Sequence, residues 1–255
     1  MNSRVRITKE RLDRVLVTQG LATSREVAAR TILAGGVLVD GEKVDKPAKL
    51  VPVDAQIEIE KPAPYVSRAG EKLAAALDTF SINPNGMIGL DVGCSTGGFT
   101  DCLLQRGAKR IYAIDVGYGQ IDWKLRWDQR VVLLERTNIR HVNRTVVSEP
   151  IDLAVIDVSF ISLTLVLPNV VPLLREKATV VALVKPQFEV GKGQVGTRGI
   201  VRDDAQRQAV TKKIIDCAIQ LGFQVKGILD SPVKGKKGNR EILVSFQREG
   251  IINPS

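Results

Sequence analysis

The stretch Met87-Ile88-Gly89-Leu90-Asp91-Val92-Gly93-Cys94-Ser95-Thr96-Gly97-Gly98-Phe99-Thr100 decides how the rest of the chain is read. Ile88 to Val92 is an apolar run of strand length, the small residues of Gly93 to Gly98 let backbone approach a ligand closely, and Phe99 to Gln105 continues as a helix. Strand, glycine turn and helix in that order read either as a cradle for a nucleotide-type cofactor or as a tight structural turn.

A second apolar strand, Arg110 to Ile114, ends in Asp115, twenty-four residues after Asp91. An acid at that distance can accept both hydroxyls of a ribose. The loop lacks the G-x-G-x-x-G spacing of dinucleotide enzymes, and the chain has no G-x-x-x-x-G-K-[ST] phosphate loop. Losing both phosphate-binding signatures points away from NAD and ATP, towards a nucleoside cofactor without phosphates, S-adenosylmethionine.

The 255 residues, 44% apolar and 25% charged, suffice for one α/β domain and a small module. The start, MNSRVRITKERLDRV, has no apolar signal region, and no run reaches the roughly 18 apolar residues of a membrane span. The expectation is a cytoplasmic chain with no membrane partner. Three cysteines, Cys94, Cys102 and Cys217, lack metal-ligand spacing and read as reduced, packed thiols, with no metal expected. The one histidine, His141, removes Ser-His-Asp, Cys-His and multi-histidine chemistry. A net charge of +9 suits a phosphate-rich partner, or simply solubility.

Residues 9–33 carry two short amphipathic helices, with Leu12, Val15 and Leu16 on one face and Ser24 capping the second. Val37-Leu38-Val39, the turn Asp40-Gly41, Val44 and Ile57-Glu58-Ile59 follow as short strands around a hairpin. The order KERLDRVLVTQGLATSREVAARTILAGGVLVDGEKVDKP resembles the ribosomal protein S4-like RNA-binding domain. That resemblance implies an α+β module at 1–60 that meets structured RNA through Arg11, Arg14, Arg25, Arg30 and Lys43. Lys61-Pro62-Ala63-Pro64 opens a short, semi-rigid linker, 61–66.

From residue 67 to 250 helix and strand alternate: a helix over Glu71 to Leu77, the two strands above, then Val131 to Leu134, Ile151 to Ile156 and Thr179 to Val184, a helix from Asp203 to Leu221, and the strands Gln224 to Leu229 and Glu241 to Phe246. Such alternation predicts a mainly parallel sheet covered by helices on both faces, with ligands at the carboxyl ends of the strands. Asp157 and Lys185 end two of those strands, Lys72 sits in the helix just before the Ile88 strand and Glu241 begins the last strand, four charges at one edge of the sheet as site residues or as rim ion pairs.

SRAGEKL around Lys72, IDVSF around Asp157, VKPQFE around Lys185 and NREILV around Glu241 resemble, in the same order, the four motifs of FtsJ-like ribose 2'-O-methyltransferases. With the N-terminal module, residues 6–247 resemble the TlyA family, long labelled hemolysins, whose members methylate cytidine 2'-hydroxyls in ribosomal RNA. The resemblance implies a Rossmann-like class I S-adenosylmethionine-dependent methyltransferase sheet and a partner that is ribosomal RNA or a ribosomal subunit. It also implies that Lys185 takes or guides the hydroxyl proton while Lys72, Asp157 and Glu241 orient it and the ribose. The cofactor residues carried over are Asp91, Gly93, Ser95, Gly97, Phe99, Thr100, Asp115 and Asn138.

Trp123 and Trp127, one helical turn apart, read as core packing rather than base-stacking platforms, and Tyr65 stands where many relatives have tryptophan. The basic loops GKGQVGTRG, with Lys192 and Arg198, and KGKKGNR, with Lys234, Lys236 and Lys237, read as RNA clamps or as solvated surface. Rival readings are a base methyltransferase, for which the Asp157-Val158-Ser159-Phe160 segment lacks the motif, a non-catalytic RNA-binding assembly factor, and a membrane-lytic hemolysin.

Overall fold

A computed structural model of the chain describes residues 8–60, 63–190, 200–235 and 238–248. Lys192, Arg198, Lys236 and Lys237 lie outside the described residues, as does Lys61-Pro62 of the expected linker. Two compact units part between Ala63 and Pro64.

The first unit contains β1 (Lys9–Arg11), α1 (Leu12–Thr18), α2 (Arg25–Leu33), β2 (Val37–Val39), β3 (Glu42–Lys43), β4 (Leu50–Pro52) and β5 (Ile57–Ile59). α2 starts where the Ser24 hydroxyl accepts a hydrogen bond from Val27 N at 3.3 Å. Asp40 and Gly41, both at positive φ, make the two-residue turn that lets β2 and β3 pair antiparallel. Leu12, Val15 and Leu16 of α1 and Ala28 and Ile32 of α2 bury against Val37 and Val39 of β2.

The second unit contains α3 (Arg68–Thr79), β6 (Ile88–Val92), α4 (Gly98–Gln105), β7 (Arg110–Ile114), α5 (Trp123–Arg126), β8 (Val131–Leu134), β9 (Ile151–Ile156), α6 (Leu163–Val170), β10 (Leu174–Val184), α7 (Pro186–Glu189), α8 (Asp204–Gln220), β11 (Phe223–Asp230) and β12 (Ile242–Arg248). The seven strands lie in the order β11-β12-β10-β9-β6-β7-β8. The pairs from β10 to β8 are parallel, and β12 runs antiparallel to both its neighbours. β10 begins five residues before the expected Thr179, because Leu174 already pairs with Ile151; a register shift follows and Lys177 sits at φ +60°.

Side chains alternate across the sheet and feed two apolar layers. Val180, Ala182 and Val184 of β10 pack with Val166 of α6 and Ile214 of α8, whereas Val181 and Leu183 pack with Leu73 of α3 and Leu103 of α4. The same alternation along β12 puts Leu243 in the α3 layer and Ile242 in the opposite one. Glu241, one residue before Ile242, therefore falls on the α3 side.

Candidate active site

The glycine turn needs its glycines. Gly93 has φ +85°, and a Cβ there would lie 2.7 Å from the Asp157 carbonyl oxygen. Gly97 has φ +91°, and its Cβ would lie 2.3 Å from Leu125 Cδ1. Only a residue without a side chain takes that backbone conformation and leaves room for both neighbours.

Beneath the turn the Thr100 hydroxyl donates to Asp91 Oδ2 at 2.7 Å. Asp91 is fully buried and its other oxygen, Oδ1, has no partner among the described residues. Burial pushes this carboxyl up to about 7, against the pull of the Thr100 hydrogen bond and with a push from Asp157. Asp91, Gly97, Phe99 and Thr100 thus shape the turn from below and behind, and none of them lines the adjoining cavity.

Gly93, Ser95, Asp115 and Asn138 do line that cavity, of about 390 Å³, which lies at the carboxyl ends of β6, β7 and β9. Asp115 accepts from Ser95 N at 2.8 Å and from Gly117 N at 2.7 Å, so its carboxylate is oriented by backbone. Asn138 accepts from Arg140 N at 3.1 Å. Ile114, Ile139 and Val166 supply an apolar wall, and among the described residues no lysine or arginine lines the space. A glycine turn that only a side-chain-free residue can make, two acids and no cation fit a phosphate-free nucleoside carrying a positive charge, as S-adenosylmethionine does, and do not fit a pyrophosphate.

A second cavity, of about 290 Å³, shares Ser95, Asp157, Ser159 and Phe160 with the first. Lys72, Asp157, Lys185 and Glu241 all line it, and so does Lys234. The four charges come together for stated reasons. Asp157 follows β9, Lys185 follows β10, and the antiparallel register Val184↔Ile242 brings the start of β12, hence Glu241, beside Lys185. Lys72 points in from α3.

They form two ion pairs. Lys72 Nζ lies 2.5 Å from Glu241 Oε2, with 10% and 3% of the side chains exposed, and Lys185 Nζ lies 2.5 Å from Asp157 Oδ1. Lys185 Nζ also donates to Ser159 Oγ at 3.0 Å. Each lysine thus faces its own carboxylate. Gly235 lies against Glu241: a Cβ there would come within 2.1 Å of Oε1.

The roles of three supporting residues are not legible in the sequence. Ser159 sits inside the IDVSF motif but shows its role only through the hydrogen bond from Lys185. Glu189 is buried, accepts from Ser162 Oγ at 2.6 Å and Leu163 N at 2.8 Å, and is pushed above the usual carboxylate range by burial. The Tyr65 ring lies over Gly70, where a Cβ would come within 2.3 Å of it. Tyr65 stood out in the sequence only by its place before Val66-Ser67-Arg68, and Glu189 only as the last residue of VKPQFE; the partner of neither was legible.

Trp123 and Trp127 overturn the expectation of core packing: they are 75% and 77% exposed. Ile121 and Leu125 take the inward side of the same short segment, leaving the indoles outward. Cys94 and Cys102 are buried free thiols, as expected, with Cys102 raised by burial to about 11.

In the first unit Arg11 and Arg25 both pair with Asp13, at 2.7 and 3.2 Å, Arg14 with Glu10 at 3.6 Å and Lys43 with Glu60 at 3.6 Å. Arg30 is exposed on the last turn of α2. Among the described residues no group of acids, cysteines and histidine could hold a metal, and no helix is long and apolar enough to cross a membrane.

The model of the FtsJ-like methyltransferase family matches residues 65–248, and that of the S4 domain matches 10–57. The chain is 46% identical, over 91% of its length and 88% of the relative's, to the 16S/23S rRNA (cytidine-2'-O)-methyltransferase TlyA of Mycobacterium tuberculosis. It is 44% identical, over 92% and 99%, to Hemolysin A of Brachyspira hyodysenteriae. A solved structure from Streptococcus thermophilus that carries a hemolysin name superposes with a TM-score of 0.73 at 43% identity, covering 95% of this chain and 90% of that one. With the paired charges beside a glycine-turn cavity, these matches settle the family: the chain belongs to the TlyA family, in which an S4 domain precedes an FtsJ-like methyltransferase domain.

Proposed function

We propose that this chain transfers a methyl group from S-adenosylmethionine to a cytidine ribose 2'-hydroxyl in ribosomal RNA, with the RNA or a ribosomal subunit as its cytoplasmic partner. The observation that carries this reading is the pairing of two cavities. One has the acids and glycine turn suited to a cationic nucleoside, and its neighbour holds Lys72–Glu241 and Lys185–Asp157.

Gly93, Ser95, Asp115 and Asn138 would hold the cofactor, which when bound supplies an electrophilic methyl group on sulfur. The chain's own contribution is alignment and charge. Lys185, held between Asp157 and Ser159, is placed to hydrogen-bond the 2'-oxygen and to lower the cost of negative charge there as the hydroxyl proton passes to solvent water. Lys72 and Glu241 fix the far side of the cavity and orient the ribose. Orientation of this kind supplies up to ~7–11 kcal/mol, against about 10²–10⁴-fold from proton transfer to a positioned base. Arg11, Arg14, Arg25, Arg30 and Lys43 would anchor phosphates, as would Lys234 at the cavity rim.

The test is Lys185→Ala in single-turnover methylation of unmodified ribosomal RNA, with cofactor affinity measured in parallel. Loss of transfer with cofactor binding retained supports the assignment. Near wild-type transfer overturns it.

A further inference from the structure

The second unit displays an aromatic surface that the methyl-transfer reading does not use. Trp123 and Trp127 are the only two tryptophans in the chain, and both are about three-quarters exposed. Exposing two indoles to this extent forgoes the burial that aromatic side chains ordinarily gain. Among the described residues neither stacks on another ring.

The segment that carries them is firmly held. Ile121 and Leu125 are buried against Gly97, Asp122 N donates to Thr96 O at 3.1 Å, and the Asp122 side chain accepts from Lys124 N at 3.0 Å. Lys124 reaches Asp101 at 3.3 Å and Arg126 reaches Glu135 at 2.7 Å. The indoles therefore stand on a rigid outer wall of the glycine turn, whose Ser95 lines both cavities.

We propose that Trp123 and Trp127 form a stacking surface for an unpaired stretch of the RNA substrate, flanking the target nucleotide. This deepens the methyl-transfer reading and rests on it. Every base offers a π-face to an indole, so such a platform holds single-stranded nucleic acid without reading its sequence.

The charges around the rings select this occupant. Lys124, Arg126 and Arg130 belong to the same segment, and in each of their ion pairs the cation is the outer member: Lys124 is 49% exposed over Asp101 at 5%, Arg126 34% over Glu135 at 12% and Arg130 46% over Asp128 at 23%, so cations face outward with the acids behind them. A polyanion gains from those cations. A second copy of the chain would set lysine and arginine against lysine and arginine, and like charges across an interface are unfavourable.

Because these are the only tryptophans, intrinsic emission of the full chain reports on this surface alone. The experiment titrates the protein with deproteinised, unmodified ribosomal RNA, follows tryptophan emission and acrylamide quenching, and scores binding by gel shift. It is paired with the variant W123L/W127L. Saturable quenching with reduced acrylamide access is expected, and the variant should raise KM for RNA by about fivefold or more per lost stack, with affinity for S-adenosylmethionine unchanged.

RNA that binds while emission stays constant overturns the proposal, as does a variant whose KM is unmoved. Emission that changes with protein concentration alone assigns the surface to self-association and overturns it too. Absence of both RNA binding and methyl transfer sinks the functional reading itself, whereas methyl transfer without quenching sinks only the aromatic platform.

Discussion

The Glu189 carboxylate accepts the Ser162 hydroxyl at 2.6 Å and so ties the segment after β10 to the segment after β9. Those two segments carry Lys185 and Asp157, and a second tie comes from the rings of Phe160 and Phe188, 4.8 Å apart. Glu189 also accepts from Leu163 N at the start of α6. It is a positioning residue, and it acts through the Lys185–Asp157 pair.

Glu189→Ala removes two hydrogen bonds to a buried carboxylate and should cost about 1–3 kcal/mol of stability. Turnover should fall with it, by more than KM for RNA changes. Glu189→Gln should restore most of both, because a carboxamide oxygen still accepts from Leu163 N and the Ser162 hydroxyl can turn to accept from the amide. Thermal melts and a separated kcat and KM check this; equal damage from both variants would refute the positioning role.

Asp91 predicts a pH dependence. Burial raises its folded carboxyl to about 7 from the ordinary 3.8 of an exposed aspartate, so the native state holds a proton that the unfolded chain has lost between those pH values. Stability should therefore fall as pH rises through that window and level off above it, by a few kcal/mol in total at ~1.4 kcal/mol per pKa unit. Asp91→Asn should flatten the slope and melt higher than wild type at pH 8. Urea titrations of the cofactor-free protein from pH 5 to pH 8 decide it.

Lys72→Met strands Glu241 as a buried carboxylate without a counter-ion, which should cost ~3–5 kcal/mol. Adding Glu241→Gln should recover much of that stability, since the two sites are in contact and not additive. Methyl transfer should stay lost in the double variant. Recovery of transfer together with stability would reduce this pair to a structural ion pair.

Gly93→Ala forces a left-handed backbone on a residue with a Cβ and drives that Cβ against the Asp157 carbonyl. Affinity for S-adenosylmethionine should drop at least tenfold by calorimetry, while a gel shift of the full-length variant with ribosomal RNA should match that of the wild type. Unchanged cofactor affinity would mean that the turn is only structural.

Much of this was legible in the residues. Ile88–Val92, Arg110–Ile114, Val131–Leu134 and Ile151–Ile156 are strands at the expected bounds, because each is a short apolar run between turn signals. Local pattern carries that information. The bounds of β10 were less clear, since Leu174 joins the ladder across a register shift that no period reveals.

At the site, the four charges could be placed at one edge of the sheet, but their pairing could not. That Lys72 takes Glu241 and Lys185 takes Asp157 depends on β12 running antiparallel beside β10, a fact of sheet order. The tryptophans misled because spacing of one helical turn says that two residues share a face without saying which face. Ile121 and Leu125, smaller and in the same segment, had already taken the inner one.

The reversed strand β12 lies between β10 and β11, both of which are synthesised before it. The strand that fills the slot between two earlier ones also delivers Glu241 to Lys72, so one late segment of sequence closes the sheet and completes the charge pairing of the reaction chamber at the same time.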